Sequence, residues 1–158
     1  MLGWLQSIEG SAWATWLKES PSIWGYPTLL FLHTVGLSLA AGVSAAIDLR
    51  LLGAGRRLPL APFESFFKVI WLAFAVNAAS GVVMFLSDAT AKLANPAYLV
   101  KMALVAAAAA LTVAIRRRAF APSAAEAARA DSGCRWLAVA SIVCWFAAIT
   151  AGRYIAYF

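Results

Sequence analysis

Trp24-Gly-Tyr-Pro-Thr-Leu-Leu-Phe-Leu-His33-Thr-Val-Gly-Leu-Ser-Leu-Ala-Ala-Gly-Val-Ser-Ala-Ala-Ile-Asp48-Leu-Arg-Leu-Leu-Gly53 is the stretch that decides the fold. Between Tyr26 and Ile47 it carries no charge. About 20 apolar residues, each rising about 1.5 Å along a helix, suffice to cross a bilayer core. The stretch therefore reads as a membrane-spanning helix. It also holds His33, the single histidine of the chain. An ionisable side chain at that depth is costly unless something pairs with it, which makes His33 a functional candidate.

The rest of the composition agrees. Of the 158 residues 63% are hydrophobic and 13% charged, against about 45–50% and about 25% in soluble domains. A chain of this size could not bury so much apolar surface in water and reads as one membrane domain. Its net charge of +6 does not imply nucleic-acid binding. The basic residues cluster at the ends of apolar runs, as the positive-inside rule predicts, rather than forming one basic face. Cys134 and Cys144 lie ten positions apart, about 15 Å along a helix and too far for a disulfide. No C-x-x-C or C-x-x-C-H element is present, so neither a zinc site nor covalent c-type haem attachment is expected.

Residues 1–19 lack the basic start and continuous apolar core of a secretory signal. Trp4, Leu5, Ile8, Trp16 and Leu17 recur at helical spacing and predict one amphipathic helix on the membrane surface. Four spans follow, at about 24–47, 66–86, 97–115 and 136–156, the first closing at Asp48-Leu-Arg50. Asn95-Pro96 predicts a turn that starts the third span. The polar run from Arg116 to Gly133 predicts a mobile, partly helical connection. This threading puts Arg50, Arg56, Arg57, Arg116, Arg117, Arg118, Arg129 and Arg135 on one side, and Lys18, Lys92, Lys101 and Arg153 on the other. Both termini are then outside and the arginine-rich connections cytoplasmic. On that topology an impermeant thiol reagent should not reach Cys134 from outside. Ser38, Gly42 and Ala46 form a small-residue stripe of the kind that brings helices together within a bundle.

Chemistry-bearing residues are few. His33 shares a helix face with Leu30, Gly36, Leu37 and Ala40. Gly36 and Ala40 leave space beside an imidazole, which suits either a flat macrocycle ligated by His33 or a tight helix crossing. Asn77 lies at matching depth on the second span and is a hydrogen-bond partner for His33 in the second case. In the first case the iron of a haem b sits on His33 and the propionates point toward Lys101 and Arg153. Met84 or Met102 is then a candidate second axial ligand, with Phe74 and Trp145 as candidate walls. One histidine with two methionines also suits Cu(I). A transporter would call for a broken span or a mid-membrane carboxylate, whereas Asp48, Glu64 and Asp88 read as helix-end residues. Asp48 and Arg50 read as part of a boundary network with Arg56 or a neighbouring helix. No Ser, Cys or carboxylate is paired with a base for hydrolysis.

Four elements spread over the chain carry a resemblance: Leu32-His33-Thr-Val-Gly36-Leu, Asp48-Leu-Arg50-Leu-Leu-Gly53, Asn95-Pro96-Ala-Tyr-Leu-Val-Lys101-Met102 and Ala151-Gly-Arg153-Tyr-Ile-Ala-Tyr157. With them the chain resembles a family of short, functionally uncharacterised bacterial four-helix integral membrane proteins. The Leu-His-x-x-Gly pattern is also loosely similar to the first helix of copper-resistance membrane proteins and of haem-binding membrane protoporphyrinogen oxidases. The first resemblance implies the fold, and the second implies a histidine-bound redox centre.

The expectation is an all-α integral membrane four-helix bundle with an N-terminal interfacial helix. It is expected to assemble as a homo-oligomer or within a larger membrane complex. The expected function is that of a haem b-binding electron-transfer or quinone-linked redox protein; the alternatives are a non-catalytic membrane subunit or scaffold with His33 joining helices, and a Cu(I)-binding protein. The haem reading sets His33, Gly36, Ala40, Asn77, Met84, Lys101, Met102 and Arg153 around the cofactor.

Overall fold

The chain was described with a computed structural model, which covers residues 3–55, 57–120 and 132–157. Among these residues every regular element is helical. Two short helices, α1 (Gly3–Glu9) and α2 (Ala12–Glu19), precede the long helix α3 (Tyr26–Leu52). A 3-10 turn (Ala61–Ser65) leads into α4 (Phe66–Leu86), and α5 (Ala89–Ala94) crosses to α6 (Pro96–Ala119). The last long helix is α7 (Ser132–Tyr154), followed by a 3-10 turn (Ile155–Tyr157). The four long helices, α4 together with the turn before it, are each long and apolar enough to cross a membrane.

Helix α3 begins where Pro27 can occupy the first turn without losing a hydrogen bond. It ends where Gly53 takes a left-handed conformation, φ 110°, that side-chain-bearing residues disfavour. Asp48 and Arg50 thus lie in the closing turns of the helix and are buried. Arg50 folds back onto the following loop, with Nε and Nη2 donating to the Leu58 carbonyl at 3.0 and 2.6 Å. Arg56 and most of the Arg116–Gly133 connection fall outside the described residues. The start of the third span follows the expected chemistry, since Asn95 Oδ1 caps α6 by accepting from Ala97 N at 2.9 Å.

The N-terminal segment differs from the single helix expected. It breaks after Gly10, and Ser11 caps the second piece by accepting from Ala14 N at 3.3 Å. Leu5, Ala14 and Leu17 turn inward while Trp4, Trp13 and Trp16 stay exposed. Helix α1 packs on α5, where the Glu9 carboxylate accepts from Thr90 N at 2.6 Å and Thr90 Oγ1 at 2.8 Å. These two bonds hold the Glu9 carboxyl below its ordinary range. Nearby, Lys92 Nζ donates to the Met84 carbonyl at 2.6 Å, and burial pulls its ammonium below the usual lysine range.

Around the bundle α3 packs on α4 and on α7, and α7 packs on α6. The remaining seam, between α4 and α6, lacks that close backbone approach. Aromatic pairs bridge it at its two ends, Phe67 with Phe120 at 5.1 Å and Phe85 with Tyr98 at 5.7 Å between ring centroids. At the arginine-rich end the core is large: Ile47, Leu51, Phe67, Ile70 and Ile115. Midway it narrows to Ala40, Ala41, Ala73 and Ala108 around Trp145, because small residues let helix backbones approach. Leu72, Phe31 and Phe146 point outward and are about two-thirds exposed, the inside-out pattern suited to a lipid environment.

Two expectations change here. The Ser38, Gly42 and Ala46 stripe is exposed and faces away from the bundle, with nothing within 4 Å of a Cβ placed on Gly42. The residues that do pack α3 against its neighbours lie on the opposite stripe: Gly36, Ala40, Ser44, Ile47 and Leu51. Cys134 is buried, so a reagent would fail to reach it from either side and labelling there does not report topology.

Candidate functional site

His33 meets α4 through a reciprocal set of bonds. Its Nδ1 lies 3.0 Å from the Asn77 backbone carbonyl and 3.1 Å from Ser80 Oγ. The carbonyl can only accept, so Nδ1 carries the ring proton and donates. Ser80 spends its own hydroxyl proton on the Val76 and Asn77 carbonyls, at 2.7 and 3.0 Å. Asn77 Nδ2 in return donates to the His33 carbonyl at 2.8 Å. Its 3.3 Å approach to Nδ1 is then a contact between two donors and adds no bond. The tautomer leaves the Nε2 lone pair without a hydrogen-bond donor among the described residues.

Two glycines make this geometry reachable. A Cβ built on Gly36 would lie 2.8 Å from both the Ala73 carbonyl and Asn77 N, so α3 rests directly on the α4 backbone. A Cβ on Gly81 would lie 3.1 Å from His33 Cε1, so the imidazole edge rests on α4 in turn. The space beside His33 that Gly36 provides is taken up by the helix crossing. Ser80 and Gly81 are site residues that sequence reading did not single out. Their signal was present as spacing, since Asn77, Ser80 and Gly81 share one helical face at i, i+3 and i+4.

The other candidate residues divide into three groups. Ala40 is buried in the alanine core with Trp145, and Phe74 packs on that core, deeper than the imidazole. Lys101 is half-buried, lays its side chain across Gly152 of α7, and lies within electrostatic reach of His33. Met84 is half-buried, while Met102 and Arg153 are exposed. Among the described residues no three His, Cys, Asp or Glu side chains converge on a common point that could hold a metal ion.

A second polar cluster lies at the α3–α7 interface, where sequence reading placed only a boundary charge. Asp48 is 1% exposed and faces Ser141. One turn away along each helix stand Ser44 and Trp145, also buried. Among the described residues Asp48 Oδ2, Ser44 Oγ, Ser141 Oγ and Trp145 Nε1 are buried without a hydrogen-bond partner. Asp48, one turn from the end of α3, is therefore a helix-end residue that faces the bundle interior.

In comparisons with known proteins the chain matches no family model, no curated protein and no solved structure.

Proposed function

We propose that the chain is a non-catalytic integral membrane subunit or scaffold, in which His33 and Asn77 lock α3 to α4. The observation that carries this reading is the two-way bonding. Imidazole to Asn77 carbonyl at 3.0 Å and Asn77 amide to His33 carbonyl at 2.8 Å satisfy polar groups that would be costly in lipid. The membrane is the bacterial inner membrane, with both termini periplasmic and the arginine-rich connections cytoplasmic. The outward Ser38, Gly42 and Ala46 stripe supports assembly with a second copy or a larger complex.

A second reading, a haem b-binding redox protein exchanging electrons with a quinone or a protein partner, has one observation in its favour. A ligating histidine typically donates its other ring N–H to a carbonyl, as Nδ1 does here. Nε2 would be the iron ligand, and haem, when bound, would supply one-electron chemistry. Lys101 and Arg153 would carry the cationic charge for its acids. Nε2 with a thioether would likewise suit Cu(I).

An absorption spectrum of detergent-purified protein, combined with the stabilities of His33→Ala and Asn77→Ala, separates these readings. The lock predicts no Soret band, no bound copper and a loss of about 0.5–1.5 kcal/mol in each variant, since each side chain bonds the other residue's backbone carbonyl. A Soret band or stoichiometric copper that disappears in His33→Ala would overturn it in favour of the redox or Cu(I) reading.

A further inference from the structure

The arginine-rich end of the α4–α6 seam opens into a groove made of two adjoining clefts, about 500 and 430 Å³, that share Glu64, Trp71 and Arg116. Lys68 lines the first and Arg117 and Val113 line the second. Lys68, Arg116 and Arg117 are exposed, and none of them has an ion pair among the described residues. Arg116 is held in place by its stacking over the Phe67 ring, 5.8 Å from the centroid. Glu64 offsets one of the three positive charges, which leaves an excess of two.

The groove changes character along the helix axis. Its charged part lies beside the 3-10 turn and the end of α6. Trp71 and Val113 come about one turn further toward the middle of the bundle, where the seam lacks close helix contact and is open sideways. Cations at the membrane boundary followed by an apolar slot facing the lipid tails are the two halves of a phospholipid site. A soluble anion would use the first half and leave the second without purpose.

We propose that this groove binds one anionic phospholipid, its phosphodiester held between Lys68 and the Arg116–Arg117 pair and one acyl chain laid over Trp71 and Val113. The site is independent of whether His33 is a helix lock or a ligand.

The test uses the full chain in neutral detergent micelles doped with phosphatidylglycerol or, at equal mole fraction, phosphatidylcholine. Readouts are the melting temperature and lipid retained in native mass spectrometry. Phosphatidylglycerol raises Tm by about 5–10 °C when present at roughly a hundredfold its Kd, leaves one bound adduct, and loses its effect with added salt. The variant K68Q/R116Q/R117Q keeps its Tm in phosphatidylcholine and loses the increment. The charge-matched control K18Q/R57Q/R135Q retains it. If the triple variant does not fold, K68Q and R116Q alone each lose part of the increment. Equal stabilisation by phosphatidylcholine, equal loss in the control variant, or the same increment from inorganic phosphate alone each overturns the proposal.

Discussion

Substituting Gly36 by alanine tests the helix crossing on which the His33 cluster depends. The added Cβ meets the Ala73 carbonyl and Asn77 N at 2.8 Å, and Asn77 Cβ at 3.1 Å. Two of these are backbone atoms of α4 and cannot rotate away. Restoring ordinary contact near 3.4 Å requires the helices to part by about 0.6 Å. That separation stretches bonds now at 2.8 and 3.0 Å toward the limit of useful geometry. Overpacking of this kind costs about 1–3 kcal/mol, and the weakened bonds add to it. Alanine is also the better helix former by about 0.5–1 kcal/mol, so the clean quantity is a difference. Gly42→Ala carries the same propensity change but meets nothing within 4 Å. Gly36→Ala should therefore be less stable than Gly42→Ala by about 1–3 kcal/mol in reversible denaturant unfolding of the detergent-solubilised protein. Equal stability of the two variants would show that α3 and α4 are not in this contact.

Three shorter predictions follow from other sites. A carboxyl held below its ordinary 4.5 contributes stability that is present above that value and is lost as pH falls through the lowered folded-state value. Hydrogen-exchange protection of the Thr90 amide should accordingly fade as pH falls below the ordinary carboxyl range and be weak at every pH in Glu9→Ala; protection independent of pH would show that Glu9 does not clamp α5. Asp48→Asn replaces an unpaired buried acceptor with a group that can donate to Ser141, so stability at neutral pH should stay level or rise by about 1 kcal/mol. A loss of about 3 kcal/mol, the usual cost of stranding a partner, would reveal a cation beside Asp48. For topology, Ser7→Cys and Ala54→Cys in a Cys134→Ser/Cys144→Ser background both place the thiol at an exposed position. Impermeant reagent on intact cells should label the first and spare the second, and the reverse pattern would invert the orientation.

How far the sequence reaches differs from element to element. The uncharged run from Tyr26 to Ile47 specifies a long apolar helix by itself, because a lone backbone in lipid must satisfy its own hydrogen bonds. The same holds for the other three spans, for Pro27 at the start of α3 and for Asn95 capping α6, all of which are local effects. Asn77 was legible as a partner for His33 because depth along a helix follows from residue count. Rotation about the helix axis does not, since neither α3 nor α4 has a pronounced polar face to say which side turns inward. Packing against α4 and α7 turned Gly36, Ser44 and Asp48 inward and left Ser38, Gly42 and Ala46 outside, although both stripes are equally rich in small residues. The tertiary structure alone brought Ser80 and Gly81 to the imidazole, buried Asp48 against Ser141 and opened the α4–α6 seam. In an apolar helix composition sets length and depth, and only contact with neighbouring helices sets which residues meet.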